Sequence, residues 1–411
     1  MKDNNILVSV LCTAYNHERF IKDAIESVIH QKTNFRYELI IHEDASTDKT
    51  AEIVKAYEEK YPELIRGIYQ KKNQYGQCNI YETFLFPKVR GKYIAMCEGD
   101  DYWIDNEKLQ RQVDFLENHE DYSMCMHNAI KFNFETGKKS LLNTFVSDGT
   151  YSQEEQIKAG LGSEFPAFAS YMLRTEFLKA IPHFFLEQKV LDYPLRQYYA
   201  GKGLVYYFEK PMSVYRMATP HSYMKQTTKN QEFYNNYTLE MIRFFEKFDV
   251  YENYQFHDLI GNKILSDYFG YCLSIEESAG KKKAKECGLN MQIIEACYRC
   301  FSTKHIRDSI LSMPQKSNHL FIYGISRFAT LCRKQLEEAG IKFEGYVVSD
   351  GQMKPDRIEG NLGSHSSLKE VLKNYENPSF LLAVQPVNAD TIIRYLKQNN
   401  VENYYRPYTI D

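Results

Sequence analysis

Five short segments of the 411-residue chain carry side chains able to do chemistry together. Asp100 and Asp101 are adjacent carboxylates in Glu98-Gly99-Asp100-Asp101-Tyr102-Trp103. Two such groups repel unless a cation lies beside them. Mg²⁺ and Mn²⁺ take oxygen ligands, commonly one or two carboxylates plus substrate phosphates. A cation held there would offset the charge that develops on a departing diphosphate. Asp44, in Glu43-Asp44-Ala45-Ser46-Thr47-Asp48, can accept a hydrogen bond from a base N–H, although Asp also serves in turns and helix caps. Tyr15, in Thr13-Ala14-Tyr15-Asn16, can stack on a base or simply pack. Asp192, in Leu191-Asp192-Tyr193-Pro194-Leu195, can take a proton from an attacking hydroxyl, typically a contribution of about 10²–10⁴-fold. Tyr215-Arg216, followed by His221, forms the fifth segment, and a His ring nitrogen can complete a metal site. Taken singly, each has an ordinary structural reading: a solvated acidic turn, a cap, a packed aromatic ring, a surface histidine.

The elements that must position these residues are legible from periodicity. Ile6–Thr13 (ILVSVLCT) is a continuous apolar, β-branched run, as for a strand buried on both faces. His17–His30 has apolar residues at helical spacing. Glu38–His42 reads as a second buried strand, and Ser46 or Thr47 is placed to cap a helix running to about Tyr61. Further strands are predicted at Gly67–Gln70, Gly91–Cys97, Tyr122–His127, Phe168–Leu173, Leu204–Phe208 and Met212–Arg216, with helices at Leu109–Glu117 and Arg174–Ala180. Strands alternating with helices predict a parallel α/β sheet, whose ligands gather at the carboxyl ends of the strands. The Thr13, Asp44 and Asp100 segments each follow such a strand directly.

Residues 229–312 change character, with helical periodicity, sparse Gly and Pro, and no motif that points to chemistry. From Pro314 a new unit opens: strand His319–Tyr323, a turn at Gly324, helix Phe328–Ala339, and strands Phe343–Ser349 and Phe380–Val384. The expected organisation is an α/β domain over 1–228, a helical connector over 229–312, and a small Rossmann-like α/β domain over 313–411. The turn Gly324-Ile-Ser-Arg-Phe-Ala lacks the second and third glycines of GxGxxG, which argues against dinucleotide binding and for a docking or scaffold role, through a protein partner or self-association.

The formal net charge of −3 argues against wholesale nucleic-acid binding, which calls for an excess of Lys and Arg. Nine Cys, an odd number and several inside apolar runs, read as reduced core residues. Cys297 and Cys300 make one CxxC with no second pair of ligands, so a single helical turn explains them better than zinc. The first residues lead straight into a strand without a secretion-signal pattern, and no apolar run approaches the roughly 20 residues that span a bilayer. The expectation is a cytoplasmic protein, with room for peripheral contact at the inner face of the plasma membrane.

Taken in order, these segments resemble glycosyltransferase family 2, which has the GT-A fold. The resemblance runs through VSVLCTAYNHERFIKDAIESVIHQ, ELIIHEDASTDKTAEI, NQYGQCN and GKYIAMCEGDDYW, over about residues 6–127. It continues more weakly in FASYMLR, LDYPL and SVYR, and looks like the subgroup of bacterial surface-polysaccharide clusters. The resemblance implies that Thr13 and Tyr15 flank the nucleotide base and that Asp44 reads its edge, usually uracil. It implies that Asp100 borders the donor, that Asp101 ligates Mn²⁺ or Mg²⁺ with His221, that Trp103 borders the acceptor, and that Asp192 is the inverting base. Relatives often read Gly-Asp-Trp-Pro-Leu around that Asp; here Leu191 and Tyr193 stand in place of the Gly and Trp. The activity implied is inverting transfer of a sugar from a nucleotide diphosphate donor, a UDP-sugar, to a hydroxyl of a glycan or lipid-linked acceptor. Two competing readings are a catalytically inactive scaffold or binding protein and a nucleotidyltransferase. The intact carboxylates argue against the first. The second usually has a Gly-rich basic loop after its first strand, where this chain has Thr13-Ala-Tyr-Asn-His-Glu.

Overall fold

A computed structural model describes residues 5–142, 145, 147–160, 166–220, 230–301, 303–313, 319–324, 327–349, 365–384 and 386–407. The chain divides into two compact units, Met1–Asn230 and Gln231–Asp411.

The first unit is built on a curled mixed sheet. Its strands are β1 (Ile6–Ala14), β2 (Arg36–Glu43), β3 (Ile65–Tyr69), β4 (Tyr93–Met96), β5 (Tyr102–Trp103), β6 (Tyr122–Asn133), β7 (Lys139–Leu141), β8 (Gly149–Tyr151), β9 (Met172–Arg174) and β10 (Leu204–Met217). They lie in the order β3-β2-β1-β4-β9-β6-β10-β5, with β7 on β6 and β8 on β10. The helices are α1 (Ile21–Ile29), α2 (Thr50–Lys60), α3 (Lys108–Asn118), α4 (Gln153–Gly160) and α5 (Asp192–Ala200). Strands β3, β2, β1 and β4 are parallel, as expected from their unbroken apolar runs. Val8, Val10 and Leu11 are wholly buried, and Val8 and Val10 share a core with Ile21, Ala24 and Ile25 of α1.

The expectation of a wholly parallel sheet fails at β9, which lies antiparallel between β4 and β6, and at β5, which is antiparallel to β10. Strands of two or three residues carry no periodicity from which direction could be read. The expected strand over Phe168–Leu173 is a 3₁₀ turn, Phe168–Ser170, followed by β9. The expected helix at Arg174–Ala180 is 3₁₀, Thr175–Ala180. The two late strands are one, β10, whose register slips on either side of Pro211. Proline cannot donate to the ladder, so it reads as a break and is accommodated as a bulge.

The cap expected at Ser46 or Thr47 is also replaced. The α2 end is closed by Asp48, whose Oδ1 accepts from the Thr50 N–H at 2.9 Å and the Thr50 hydroxyl at 2.5 Å. Ser46 Oγ instead accepts from the Asn16 N–H at 3.0 Å, and the Thr47 N–H donates to Asn16 Oδ1 at 2.8 Å. These bonds tie the loop after β2 to the loop after β1. Both loops use left-handed backbone, at Asn16 (φ 54°) and Ala45 (φ 57°).

Among its described residues the second unit opens with five helices, Gln231–Tyr251, His257–Ser274, Glu277–Glu286, Met291–Phe301 and Thr303–Leu311, and continues into a five-stranded sheet whose strands alternate with helices Arg327–Glu338, Leu368–Asn374 and Pro386–Gln398. That sheet is parallel throughout, in the order β13 (His365–Ser367), β12 (Gly345–Val348), β11 (Leu320–Tyr323), β14 (Ser379–Leu382), β15 (Tyr404–Tyr405). Residues alternate across β11: Ile322 joins a core with Leu239, Tyr268, Ile294 and Ile306 of the helices, while Phe321 and Tyr323 join Val347, Leu368 and Leu382 on the other face. The helices are thus one cover of this sheet. At the end of β11, Gly324 has φ +115°, and a Cβ there would stand 2.6 Å from the Ala383 carbonyl oxygen. Cys297 lies in the Met291–Phe301 helix, buried and hydrogen-bonded to Cys272, in agreement with a helical turn rather than a zinc knuckle. Among the described residues, no helix is long and apolar enough to cross a membrane.

One buried charge fastens the parallel half of the first sheet. Glu38 is 1% exposed; it accepts from Ser9 Oγ at 2.6 Å and from Arg90 Nε and an Nη at 2.9 and 2.5 Å. Removing it strands the Ser9 hydroxyl and the Arg90 head at the base of β1. Glu38→Ala is expected to cost roughly 2–3 kcal/mol in urea unfolding, because bonds to charged groups contribute about 1.5–3 kcal/mol each and half-exposed Arg90 recovers part of its hydration. Arg90→Ala alone is expected to cost less than half as much.

Candidate active site

The carboxyl ends of β1, β2 and β4 converge on a cleft of about 760 Å³. Thr13 lines it from the end of β1 and Tyr15 from the loop that follows, Asp44 from the loop after β2, and Glu98 and Asp100 from the turn after β4. The opposite wall is the segment from His183 to Asp192, at whose end α5 begins. Residues as far apart in sequence as Thr13 and Asp192 therefore face one space.

Asp44 is 3% exposed, and both its carboxylate oxygens are engaged. Oδ1 accepts from the Gln74 N–H at 2.7 Å and Oδ2 from the Tyr75 N–H at 3.1 Å. Its side chain pins the 73–75 loop over the cleft, and a carboxylate retains acceptor capacity beyond two bonds. That loop leads through Asn79, which donates to the Leu186 carbonyl at 2.6 Å and so ties together the two walls of the cleft. It then enters a single π-helical turn, Tyr81–Leu85, a conformation frequent at functional sites.

The acidic turn after β4 is tightly specified. The Gly99 N–H donates to the Thr13 carbonyl at 2.9 Å, and a Cβ on Gly99 would stand 2.9 Å from that oxygen and 2.8 Å from His17 Nδ1. Only glycine permits this approach. Asp101 is 1% exposed and turned inward; Oδ1 accepts from the Arg216 N–H at 2.8 Å, while Oδ2 has no hydrogen-bond partner among the described residues. Asp100 Oδ2 accepts from Thr219 Oγ1 at 3.2 Å. Arg216 braces the turn: its side chain donates to the Asp100 carbonyl at 2.8 Å, pairs with Asp23, and lies 4.4 Å over the Tyr102 ring.

The electrostatics follow from crowding. Burial, then the charges of Asp100 and Asp192, push the Glu98 carboxyl up to about 8. Burial, Asp100 and Glu98 push Asp101 well above the usual carboxylate range. Asp192 is raised chiefly by burial, against the opposing pull of the Tyr193 N–H, which donates to its Oδ1 at 2.6 Å, and of Arg196. His42, also on the cleft, has its pKa lowered by burial and stacks on Phe84 with centroids 5.0 Å apart.

Thr13, Tyr15, Asp44, Asp100 and Asp192 therefore share one cleft, with Asp101 directly behind it. Trp103 does not reach it. Its indole is 4% exposed, Nε1 donates to the Ala169 carbonyl at 3.0 Å, and Lys108 Nζ lies 4.1 Å over the ring; it borders a separate, more open depression with Asp23 and Glu26. His221 lies outside the described residues. Among the described residues, no group of three or more His, Cys, Asp or Glu is arranged to hold a metal. Sequence reasoning misses Tyr81, which lines the cleft and hydrogen-bonds the Thr13 side chain, and Arg216 as the brace of the acidic turn. Tyr81 stands in a stretch with no regular period. Arg216 reads in the sequence only as the neighbour of Tyr215.

The sequence model of Glycosyl transferase family 2 matches residues 9–181, which hold every element of this cleft except the segment after 181. The fold of the first unit is accordingly GT-A, and the second sheet is a small α/β addition to it. A Mycobacterium tuberculosis protein of uncharacterised function is 38% identical over 132 residues, covering 32% of this chain and 37% of that protein. The minor teichoic acid biosynthesis protein GgaB of Bacillus subtilis is 31% identical over 157 residues, 38% of this chain and 17% of that protein. An uncharacterised glycosyltransferase of Methanocaldococcus jannaschii is 25% identical over 245 residues, 57% of this chain and 78% of that protein. The match thus spans well under half the length of the first two relatives. Among solved structures, S. aureus TarS 1–349 in complex with UDP superposes with a TM-score of 0.40 at 15% identity, covering 72% of this chain and 91% of that one.

The crowded carboxyls make stability depend on pH. A group whose folded pKa is raised stabilises the fold fully below its unfolded pKa, and that contribution is lost as pH rises through the folded value. For Glu98 the loss falls between its ordinary range and about 8. In buffer free of divalent cations, Glu98→Gln is expected to melt higher than the unaltered chain at pH 9, with the difference shrinking toward pH 5. A melting difference that stays constant across that range would show that Glu98 is not the titrating group.

Proposed function

We propose that the chain is an inverting, metal-assisted glycosyltransferase that moves a sugar from a nucleotide diphosphate donor, a UDP-sugar, to a hydroxyl of a glycan or lipid-linked acceptor. The observation that carries this reading is the placement of Asp192 across one cleft from Asp44, Glu98 and Asp100, within and beside a family 2 domain. Thr13 and Tyr15 flank the base, Asp44 reads its edge, and Asp100 borders the diphosphate. Asp192 accepts the proton of the acceptor hydroxyl. The freed oxygen bonds to the anomeric carbon as the bond to the diphosphate breaks, and the electron pair leaves with the nucleoside diphosphate. Attack opposite the leaving group inverts the anomeric centre.

The carboxyls fit a divalent cation. Asp101 Oδ2 is buried without a partner among the described residues, and the mutual repulsion of Glu98, Asp100 and Asp101 is of the kind a cation relieves. Asp101 and Asp100 would hold Mn²⁺ or Mg²⁺, with His221 as a further ligand. When bound, the cation would offset charge on the departing diphosphate. A place in surface-polysaccharide synthesis is supported by the relative named for minor teichoic acid biosynthesis. We assign the second unit a docking role, toward a protein partner or a second copy of the chain, since Gly324 is the single glycine of its first strand-to-helix turn.

The first test is release of nucleoside diphosphate from a panel of nucleotide sugars with Mn²⁺ or Mg²⁺. Release from a UDP-sugar that is lost in Asp101→Ala supports the reading. Absence of both release and thermal shift with every nucleotide sugar overturns it in favour of a scaffold. In the active reaction, Asp192→Asn is expected to lower kcat by about 10²–10⁴-fold while leaving the donor KM within a few-fold; near-normal turnover removes Asp192 as the base.

A further inference from the structure

The least expected side chain in the first unit is Arg196. It is wholly buried on α5, and none of its three guanidinium nitrogens has a hydrogen-bond partner among the described residues. A buried cation without bonds is costly unless an opposite charge lies near. Arg196 is four residues after Asp192 on the same helix, the spacing that brings side chains to one face. Its guanidinium lies 5.3 Å over the Tyr193 ring, and Tyr171 Oη reaches the Asp192 carbonyl at 3.4 Å, so aromatic side chains flank the pair. Arg196 does not line the cleft; Asp192 does.

We propose that Arg196 is a positioning residue: from behind α5 its fixed charge keeps Asp192 ionised and directed at the cleft, ready to take the acceptor proton. This rests on the reading of Asp192 as the base. The groups facing Asp192 from the surrounding elements are Glu98 after β4, Tyr81 of the π-helical turn, Tyr171 before β9 and Tyr215 of β10. None of these is a cation, and Glu98 when ionised opposes a second negative charge. Lys189 also lines the cleft, but among the described residues the cation whose charge favours the ionised Asp192 is Arg196. The field acts across low-dielectric protein rather than through a bonded contact, so it survives rearrangement of the carboxylate when the acceptor arrives.

Two readouts test this. The Asp192 carboxyl is titrated directly as the infrared carboxyl band that disappears in Asp192→Asn, which needs no turnover. In parallel, the acid limb of kcat/KM is followed on the donor that gives release. Arg196→Met is expected to move both the band and the limb upward by about one pH unit, a loss of about tenfold in activity on the limb, whereas Arg196→Lys is expected to keep both near their original positions. If Arg196→Met lowers activity equally at every pH and leaves the band in place, Arg196 is only a packing residue and the proposal fails. Should Arg196→Met not fold, Arg196→Gln serves with the same two readouts. A band that shifts in a chain that neither turns over nor is thermally shifted by any nucleotide sugar sustains the coupling of Arg196 to Asp192 and sinks the transferase reading instead.

Discussion

Mutual repulsion among carboxyl groups in one cleft is the constraint around which the first unit is arranged. Through protein that excludes much of the water, Asp100 and Asp192 raise the cost of ionising Glu98, and Asp100 and Glu98 raise that of Asp101. The fold answers with fixed positive ends. Arg216 lends its backbone N–H to Asp101 and its guanidinium to the Asp100 carbonyl and to Asp23, and Thr219 donates to Asp100. Both come from β10 and the residues just beyond it, so the last strand of the sheet is what holds the turn after β4 in place.

The loops combine roles in the same way. Asp44 lines the cleft and also fastens the 73–75 loop across it, so the residue assigned to the base shapes the cleft that would receive it. Asn16, Ser46, Thr47 and Asp48 knit the loops after β1 and β2 before α2 begins. Asn79 connects the loop to the far wall. These bonds hold the cleft's shape with the backbone and small polar side chains, leaving the larger groups, Tyr15, Tyr81 and Asp192, facing its interior.

Much of the cleft is legible in the amino-acid sequence. A strand buried on both faces must be a continuous apolar run, so β1, β2 and β4 stand out, and so do the residues that follow their carboxyl ends. Asp44, Asp100 and Asp192 can be picked out because carboxylates at the ends of apolar segments are local facts. Trp103 shows the opposite case. Its place in the acidic segment suggests a role at the acceptor, and it is instead sealed against Ala169 by contacts made 66 positions away.

What the sequence alone determined is therefore the parallel half of the sheet, the match of residues 9–181 to the family 2 model, and the candidate carboxylates. Each is encoded within a window of a few residues, where hydrophobic period and neighbour identity suffice. The tertiary structure decided the antiparallel insertion of β9, the joining of β10 across Pro211, the packing of the helices over Gln231–Leu311 onto the second sheet, and the placing of Arg196 and Tyr81 around the cleft. Those depend on pairings between segments tens to nearly two hundred residues apart. Backbone ladders and buried charges choose among such pairings by direction and desolvation, and neither leaves a period in the sequence.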